Sequence, residues 1–339
     1  MFKPKAVYIE ADALDTKEGK KLEKQFNELD IPVHILSSNR VTFLSGKTVQ
    51  EKYEVGKRSL VVGVRRTLEF QSCKPSAHYQ LPLVSGCIGK CEYCYLNTQL
   101  KDKPYTKVHV NVDEILKKAK RYIQQGKFKP TIFEGSATSD PVPVEPYTGA
   151  LAKSIEFFGK EKEGRFRFVT KFTDIDSLLH LKHNGHTEMR FSINTDTVIE
   201  SYEHSTPRVK QRIEAARKAI KAGYPVGFLI APVFVYPHWK EDYLMLIKML
   251  KDFLPKEDIK HPITFEIISH RYTPTAKNHI LQIFENTELP MDDADRKYKY
   301  GQFGYGKYVY PKEVMTEMKE LFEMGLSHLE FPYEIKYII

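Results

Sequence analysis

From Tyr79 to Ile268 the chain alternates short runs of β-branched and aromatic residues with longer stretches of helical periodicity. That alternation limits its architecture more than any other feature. Candidate strands are Leu81–Val84, Thr131–Glu134, Arg165–Thr170, Glu188–Ile193, Val226–Ala231 and Thr264–Ile268. Helical stretches lie between most of them: Val112–Gln124, Tyr147–Phe158, Ile175–His180, Pro207–Ala222 and Glu241–Phe253. Parallel strands need a crossover, which a helix supplies. Six such units predict an α/β fold, a parallel sheet curled into a partial (β/α)6 TIM-like barrel. Chemistry in such barrels sits at the C-terminal ends of the strands. In the fourth helix, Thr206 is the expected N-cap, Pro207 suits the first turn, and Gly223 ends the element. Val209, Ile213, Ala216 and Ile220 form one apolar stripe, read as core.

Two further segments flank the barrel. Ala6–Glu10, Lys17–Leu29 and Pro32–Leu36 read as strand, helix, strand, a small N-terminal α/β unit. A loop-rich stretch with Cys73 follows to about Ala77. At the other end, Arg296 to Tyr310 alternates tyrosines with basic residues around Gly301, Gly304 and Gly306, a β-hairpin pattern. Pro311 then opens a closing helix through Phe322. The expected division is 1–77, 78–275 and 276–339.

Composition narrows the class. Hydrophobic residues are 41% of the 339 and charged residues 28%, enough apolar surface for a core and too little charge bias for disorder. The net charge of +8 fits a polyanionic partner, nucleic acid first, or a lysine-rich surface kept for solubility. Of the four cysteines, three fall within eight residues, which no disulfide framework explains. Clustered thiols point to a metal site in a reducing compartment. Met1 to Ala6 carries no apolar signal core, and the longest apolar run, Val226 to Tyr236, contains Pro232 and is too short to span a bilayer. The expectation is a cytoplasmic protein without a membrane partner, a monomer.

The thiols stand as Cys87-x3-Cys91-x2-Cys94, directly after a strand. Thiolates are soft ligands for iron–sulfur clusters or zinc. Three close ligands leave one iron open to a small molecule. Structural zinc wants a closed set of four, to which Cys73 or a histidine would have to contribute, and a three-residue gap is unusual for a zinc knuckle.

This spacing, with an aromatic before the third cysteine, resembles the radical S-adenosylmethionine superfamily. So does Glu203-His204-Ser205-Thr206 followed by Arg212 and Gly223. The resemblance implies a [4Fe–4S] cluster on Cys87, Cys91 and Cys94, with S-adenosylmethionine on the open iron. Residues after the strands are the candidates for holding that cosubstrate: Ser139 in Glu134–Asp140, Lys171 for its carboxylate, Ser192 and Asn194 on one side of a strand, and the Ala231 backbone for adenine.

Over nearly the whole chain the sequence resembles spore photoproduct lyase. The N-terminal unit, Tyr93 and Tyr95 flanking Cys94, the Thr138-Ser139-Asp140 segment and the basic aromatic hairpin carry this resemblance. It implies repair of the methylene-bridged thymine dimer 5-thyminyl-5,6-dihydrothymine in DNA, driven by an external reducing electron donor. An adenosyl radical takes hydrogen from the lesion, the bridge breaks, and a cysteine returns hydrogen. Tyr93 and Tyr95 match tyrosines that relay hydrogen back, with Tyr95 also beside the cosubstrate. The position of the donor cysteine holds Ala137, a departure that points to an engineered variant or to altered chemistry, with quenching of the product radical impaired. Cys73 is then the remaining thiol. A lesion must leave the stacked duplex to react. Phe303, Tyr305 and Tyr308 are candidate wedges. Arg296, Lys297, Lys299 and Lys307, with Arg271 and Tyr272, are candidate DNA contacts. An ordinary amphipathic ribbon, a radical enzyme acting on RNA or peptide, and a non-catalytic DNA-binding protein with a structural metal are the competing readings.

Overall fold

The computed structural model describes residues 2–38, 41, 45–100, 103–135, 137–300 and 306–339. The chain falls into two compact units. One comprises Met1–Gly89 and Leu100–Glu188, the other Lys90–Gln99 and Met189–Ile339.

The first unit holds two strand sets. In the N-terminal set, Val33–Leu36, Ala6–Glu10, Ser59–Gly63 and Thr106–His109 run parallel in that order, and Val84–Ser85 closes the edge antiparallel. Ser59–Gly63 is buried along its whole length, as a central parallel strand covered on both faces should be. Helix Lys17–Glu28 starts at Thr16, whose hydroxyl accepts from the Gly19 N–H, and it buries Leu22 and Phe26. The stretch read as loop-rich contains a second helix, Val49–Lys57, begun by a capping box of Thr48 and Glu51.

In the other set, Gly164–Thr170, Thr131–Glu134 and Ala77–Gln80 are parallel, and Ser72–Cys73 pairs antiparallel at the end. The expected strand Leu81–Val84 is replaced by Ala77–Gln80 and Val84–Ser85. Pro82 has no N–H to give a ladder, so pairing stops on either side of it. Helix Val112–Gln124 buries Val112, Ile115, Leu116, Ala119 and Ile123, a stripe at helical spacing. Each of the valine, isoleucine and leucine side chains contributes roughly 1.5–3 kcal/mol on burial. The expected helix Ile175–His180 shrinks to one 3-10 turn, Asp176–Leu178.

In the second unit, the strand Thr187–Ile193 (from Met189 on), Val226–Val233, Ile263–Ser269 and Tyr333–Ile338 are parallel neighbours. The last of these was not foreseen. Helix Val209–Lys221 buries the expected stripe, but its N-cap is Arg208, whose N–H donates to the Gln211 side chain. Thr206 is drawn away: its hydroxyl donates to the Glu203 carbonyl and accepts from Arg212. Gly223 follows the helix at φ +84°, where a side chain would be strained. Lys297–Tyr300 and Gly306–Val309 form the expected hairpin, and helix Lys312–Ser327 follows. Among the described residues no helix is long and apolar enough to cross a membrane.

Candidate functional site

In the first unit the segment entering Cys87 is tied to the loop that carries Ala137. Gly86 donates its N–H to the Thr138 carbonyl at 2.9 Å and bridges to Ser139. It sits at φ +78°, and a Cβ there would come within 2.2 Å of the Tyr105 carbonyl oxygen. Only glycine fits. The Gly89 N–H points at the Cys87 sulfur at 3.3 Å, a bond that favours thiolate.

Asp140 straps this loop to the next strand end. Its buried carboxylate accepts from the Thr170 hydroxyl at 2.8 Å and from the Lys171 N–H at 2.8 Å. Burial pushes the carboxyl up to about 6. Lys171 is thus placed through its backbone. Ser139 Oγ is buried and, among the described residues, has no hydrogen-bond partner, so it is an open polar contact for a ligand.

Cys73 belongs to the same unit. It lies opposite Ala77, in a strand pair next to Thr131–Glu134, the strand that leads to Ala137. The intervening turn is pinned: Ser76 donates to Glu134 at 2.9 Å, and Arg167 donates to the Ser76 carbonyl at 2.6 Å.

In the second unit, Cys91 and Cys94 are held by a buried polar network. Lys90–Cys91 pairs with Glu203–His204, Cys91 opposite Glu203. The Asn97 amide donates to the carbonyls of Cys91 and Glu92. The Tyr93 phenol donates to one oxygen of Glu203. The other oxygen accepts from Arg212 at 2.6 Å, and both side chains of that ion pair are fully buried. Burial, then the Glu203 charge, holds the Tyr93 phenol well above its usual range. Arg212 also donates to the Ser192 carbonyl at 3.0 Å. Glu92 accepts from His204 at 2.7 Å and from the Thr287 hydroxyl. The segment Glu203–Thr206 therefore braces the Cys91–Cys94 loop, a role its spacing alone did not reveal.

The remaining expected cosubstrate residues of this unit differ in access. Tyr95 is 56% exposed, and Ala231 is half-buried. Ser192 and Asn194 are buried. Asn194 accepts from the Tyr243 hydroxyl at 2.9 Å and donates to the Pro232 carbonyl at 2.8 Å, bonds that hold strand ends together.

The hairpin register sorts its side chains. Lys297, Lys299 and Lys307 share one face, and Tyr298, Tyr300 and Tyr308 the other. Burial, with the charges of Arg271 and Lys299, lowers the Lys307 pKa, so these three cations stand together. Arg296 and Tyr272 do not fit a DNA-contact role. Arg296 is 9% exposed, donates to the carbonyls of His270 and Pro290, and stacks 3.5 Å over Tyr310. Tyr272 is buried and donates to Asp293 at 2.9 Å. Both hold the base of the ribbon. Phe303 and Tyr305 lie outside the described residues. Tyr300, at 76% the most exposed aromatic among the ribbon's described residues, was missed, although the alternation RKYKY places it beside Tyr298. From it a column of rings runs inward with centroids 4.5–5.7 Å apart: Tyr300, Tyr298, Tyr308, Tyr272, His270, Phe234, Tyr93.

The donor set fits an iron–sulfur group: three thiols in eight residues, a backbone N–H on one sulfur, and no fourth thiol within that run. The orphaned Ser139 hydroxyl fits a polar cosubstrate beside the Cys87 segment.

Comparison with known proteins adds the following. A family model described as spore photoproduct lyase matches residues 2–339. The chain is 52% identical over 333 residues to the spore photoproduct lyase of Clostridium acetobutylicum, covering 98% of each chain. Identity to that of Bacillus subtilis strain 168 is 44% over 323 residues, 95% of this chain and 94% of the other. A solved spore photoproduct lyase variant with one cysteine replaced by alanine and one serine by cysteine, with bound AdoMet and dinucleoside spore photoproduct, matches with TM-score 0.95 at 42% identity. It covers 100% of this chain and 99% of that one. A spore photoproduct lyase complexed with dinucleoside spore photoproduct matches with TM-score 0.94 at 41% identity, with the same coverage.

Proposed function

We infer what this chain does from one premise: it belongs to the spore photoproduct lyase family. It is a radical S-adenosylmethionine lyase of DNA repair that returns the spore photoproduct to two thymines. A [4Fe–4S] cluster and S-adenosylmethionine are its cofactors. The structural match also carries the fold class expected from the sequence, an α/β partial barrel. When bound, the two cofactors supply a 5′-deoxyadenosyl radical that takes a hydrogen atom from the lesion.

The chain's own residues hold, orient and quench. Cys87, Cys91 and Cys94 are the cluster ligands. Ser139, with its unpartnered hydroxyl, and Lys171, set by Asp140, hold the cosubstrate together with Tyr95, Ser192 and the Ala231 backbone. Asn194 positions rather than contacts, since its amide is engaged by Tyr243 and Pro232. Tyr93 and Tyr95 are the relay pair, with Glu203 as the acceptor for the Tyr93 proton. Arg271, Lys297, Lys299 and Lys307 meet phosphates, and the tyrosine face of the hairpin, Tyr308 included, stacks on bases. The protein works as a cytoplasmic monomer supplied by an external low-potential electron donor.

Cys73 delivers the returning hydrogen in place of a residue at 137. The support is its turn, pinned by Ser76 to Glu134 on the strand that ends at the Ala137 loop. The thiol S–H breaks, the hydrogen atom passes to the thymine radical, and Tyr95 and Tyr93 would relay a replacement hydrogen atom from 5′-deoxyadenosine to the Cys73 thiyl.

The observation that carries the reading is the bracing of the Cys91–Cys94 loop by the Glu203–Arg212–Tyr93 network. Anaerobic reconstitution tests it. The protein should take up about four irons, the number in the cluster, release 5′-deoxyadenosine with dithionite and S-adenosylmethionine, and convert a lesion dinucleotide to thymines. Cys91→Ala should abolish all three. A colourless zinc protein would refute the reading.

A further inference from the structure

A lysine of the N-terminal α/β set reaches the thiol segment. Lys57 ends helix Val49–Lys57 and is 5% exposed. Its ammonium donates to the carbonyls of Cys87 and Gly89, each at 2.8 Å, and stands 5.2 Å from the centre of the Tyr53 ring. Its donors are therefore spent on two backbone oxygens and a π-face. Among the described residues no carboxylate pairs with it.

A buried cation without a counter-anion is expensive. The helix C-terminus repays part of that cost, because the last turn favours positive charge. The helix is fixed at its other end by the Thr48–Glu51 capping box. It is also packed tightly, since a Cβ at Gly56 would lie 2.6 Å from Pro104. A neutral donor would tie the same two carbonyls with less desolvation. What a neutral donor lacks is the charge. Three thiolates around a [4Fe–4S] core leave that group with net negative charge. Reduction adds one electron from the reductant and no proton, so the negative charge grows by one.

We propose that Lys57 is a positioning residue for the cluster: it fixes the Cys87–Gly89 turn, and its ammonium group favours the reduced state. The proposal rests on the cluster reading above. The same turn directs the Gly89 N–H at the Cys87 sulfur, so one side chain sets both the geometry and the electrostatics of the first ligand.

The test is a potentiometric titration of the reconstituted full chain, followed by electron paramagnetic resonance. Lys57→Met should load iron like the parent, and its reduction equilibrium should fall about tenfold, which is 59 mV for one electron. Lys57→Arg keeps the charge and should stay close to the parent. If Lys57→Met fails to load iron, Lys57→Gln, with amide donors and no charge, asks the same question. Iron loss in both neutral variants but not in Lys57→Arg supports the charge requirement. A Lys57→Met or Lys57→Gln potential equal to the parent's, or iron loss in all three variants, overturns the proposal. A parent that loads no iron would sink the cluster reading instead.

Discussion

Truncating Glu203 should destabilise the protein more than any single surface change. The Glu203–Arg212 pair is fully buried on both sides, 2.6 Å apart. Glu203→Ala leaves Arg212 charged in the interior, and breaking a buried pair costs about 3–5 kcal/mol. It also deprives the Tyr93 phenol of its acceptor, about 1 kcal/mol or more. At about 2.1 cal/mol/K per residue, unfolding 339 residues carries an entropy of about 0.7 kcal/mol/K. A loss of about 4 kcal/mol therefore lowers Tm by about 6 °C. The double change Glu203→Gln with Arg212→Met should cost less than Glu203→Ala, because no unpaired charge is left behind. Thermal unfolding followed by circular dichroism, with iron content measured alongside, is the assay. A Glu203→Ala protein melting within about 1 °C of the parent and holding its iron would refute the argument that this pair braces the cysteine loop.

Three further outcomes are expected. Cys73→Ala should leave 5′-deoxyadenosine formation intact but divert the lesion product from thymine pairs to adducts. Adding Ala137→Cys should restore clean repair, and unchanged products from Cys73→Ala would eliminate it as donor. Replacing Lys297, Lys299 and Lys307 by Ala should lower the log–log salt slope of duplex binding by about 0.9 per lost phosphate contact; an unchanged slope would mean these lysines face away from DNA. Burial pushes the Glu145 carboxyl up to about 7, so the folded chain holds that proton more tightly than the unfolded one. Its contribution to stability is full at low pH and is lost as pH rises to about 7, roughly 3 kcal/mol in all. Glu145→Gln should flatten the denaturation midpoint between about pH 5 and 8, and parallel curves for the two proteins would contradict this.

The sequence carried the repeating architecture well because periodicity reports burial directly. Thr131–Glu134 and Val112–Gln124 fall where the pattern placed them. It failed where one residue overrides the pattern, as Pro82 does, or where tertiary bonds reclaim a cap, as Arg212 does with Thr206. Helix Val49–Lys57 was legible after all: Thr48-Val49-Gln50-Glu51 is a capping-box signature that its polar surroundings obscured. The thiol motif was local and therefore visible. Its supports were not: Lys57 lies 30 residues from Cys87 with nothing local to mark it, and Glu203, noticed within its motif, lies 112 residues from the Cys91 it pairs with, so its bracing role was hidden. Arg296 and Tyr272 show the converse. Basic and aromatic residues in a basic ribbon look like nucleic-acid contacts until burial and bonding reveal them as struts.

The aromatic column from Tyr300 to Tyr93 has a consequence for how this chain tolerates change. Each ring leans on the next, so a smaller residue at Phe234 or His270 opens a void that both neighbours must share. Substitutions along it should be epistatic: harmful singly, partly forgiven when an adjacent ring changes in the complementary sense. Neighbouring pairs such as Phe234 and His270 should show coupling energies of roughly 0.5–3 kcal/mol in double-mutant cycles, while pairs separated by several rings should simply add. Drift through this part of the sequence then proceeds in coordinated sets, with the column inherited as a block.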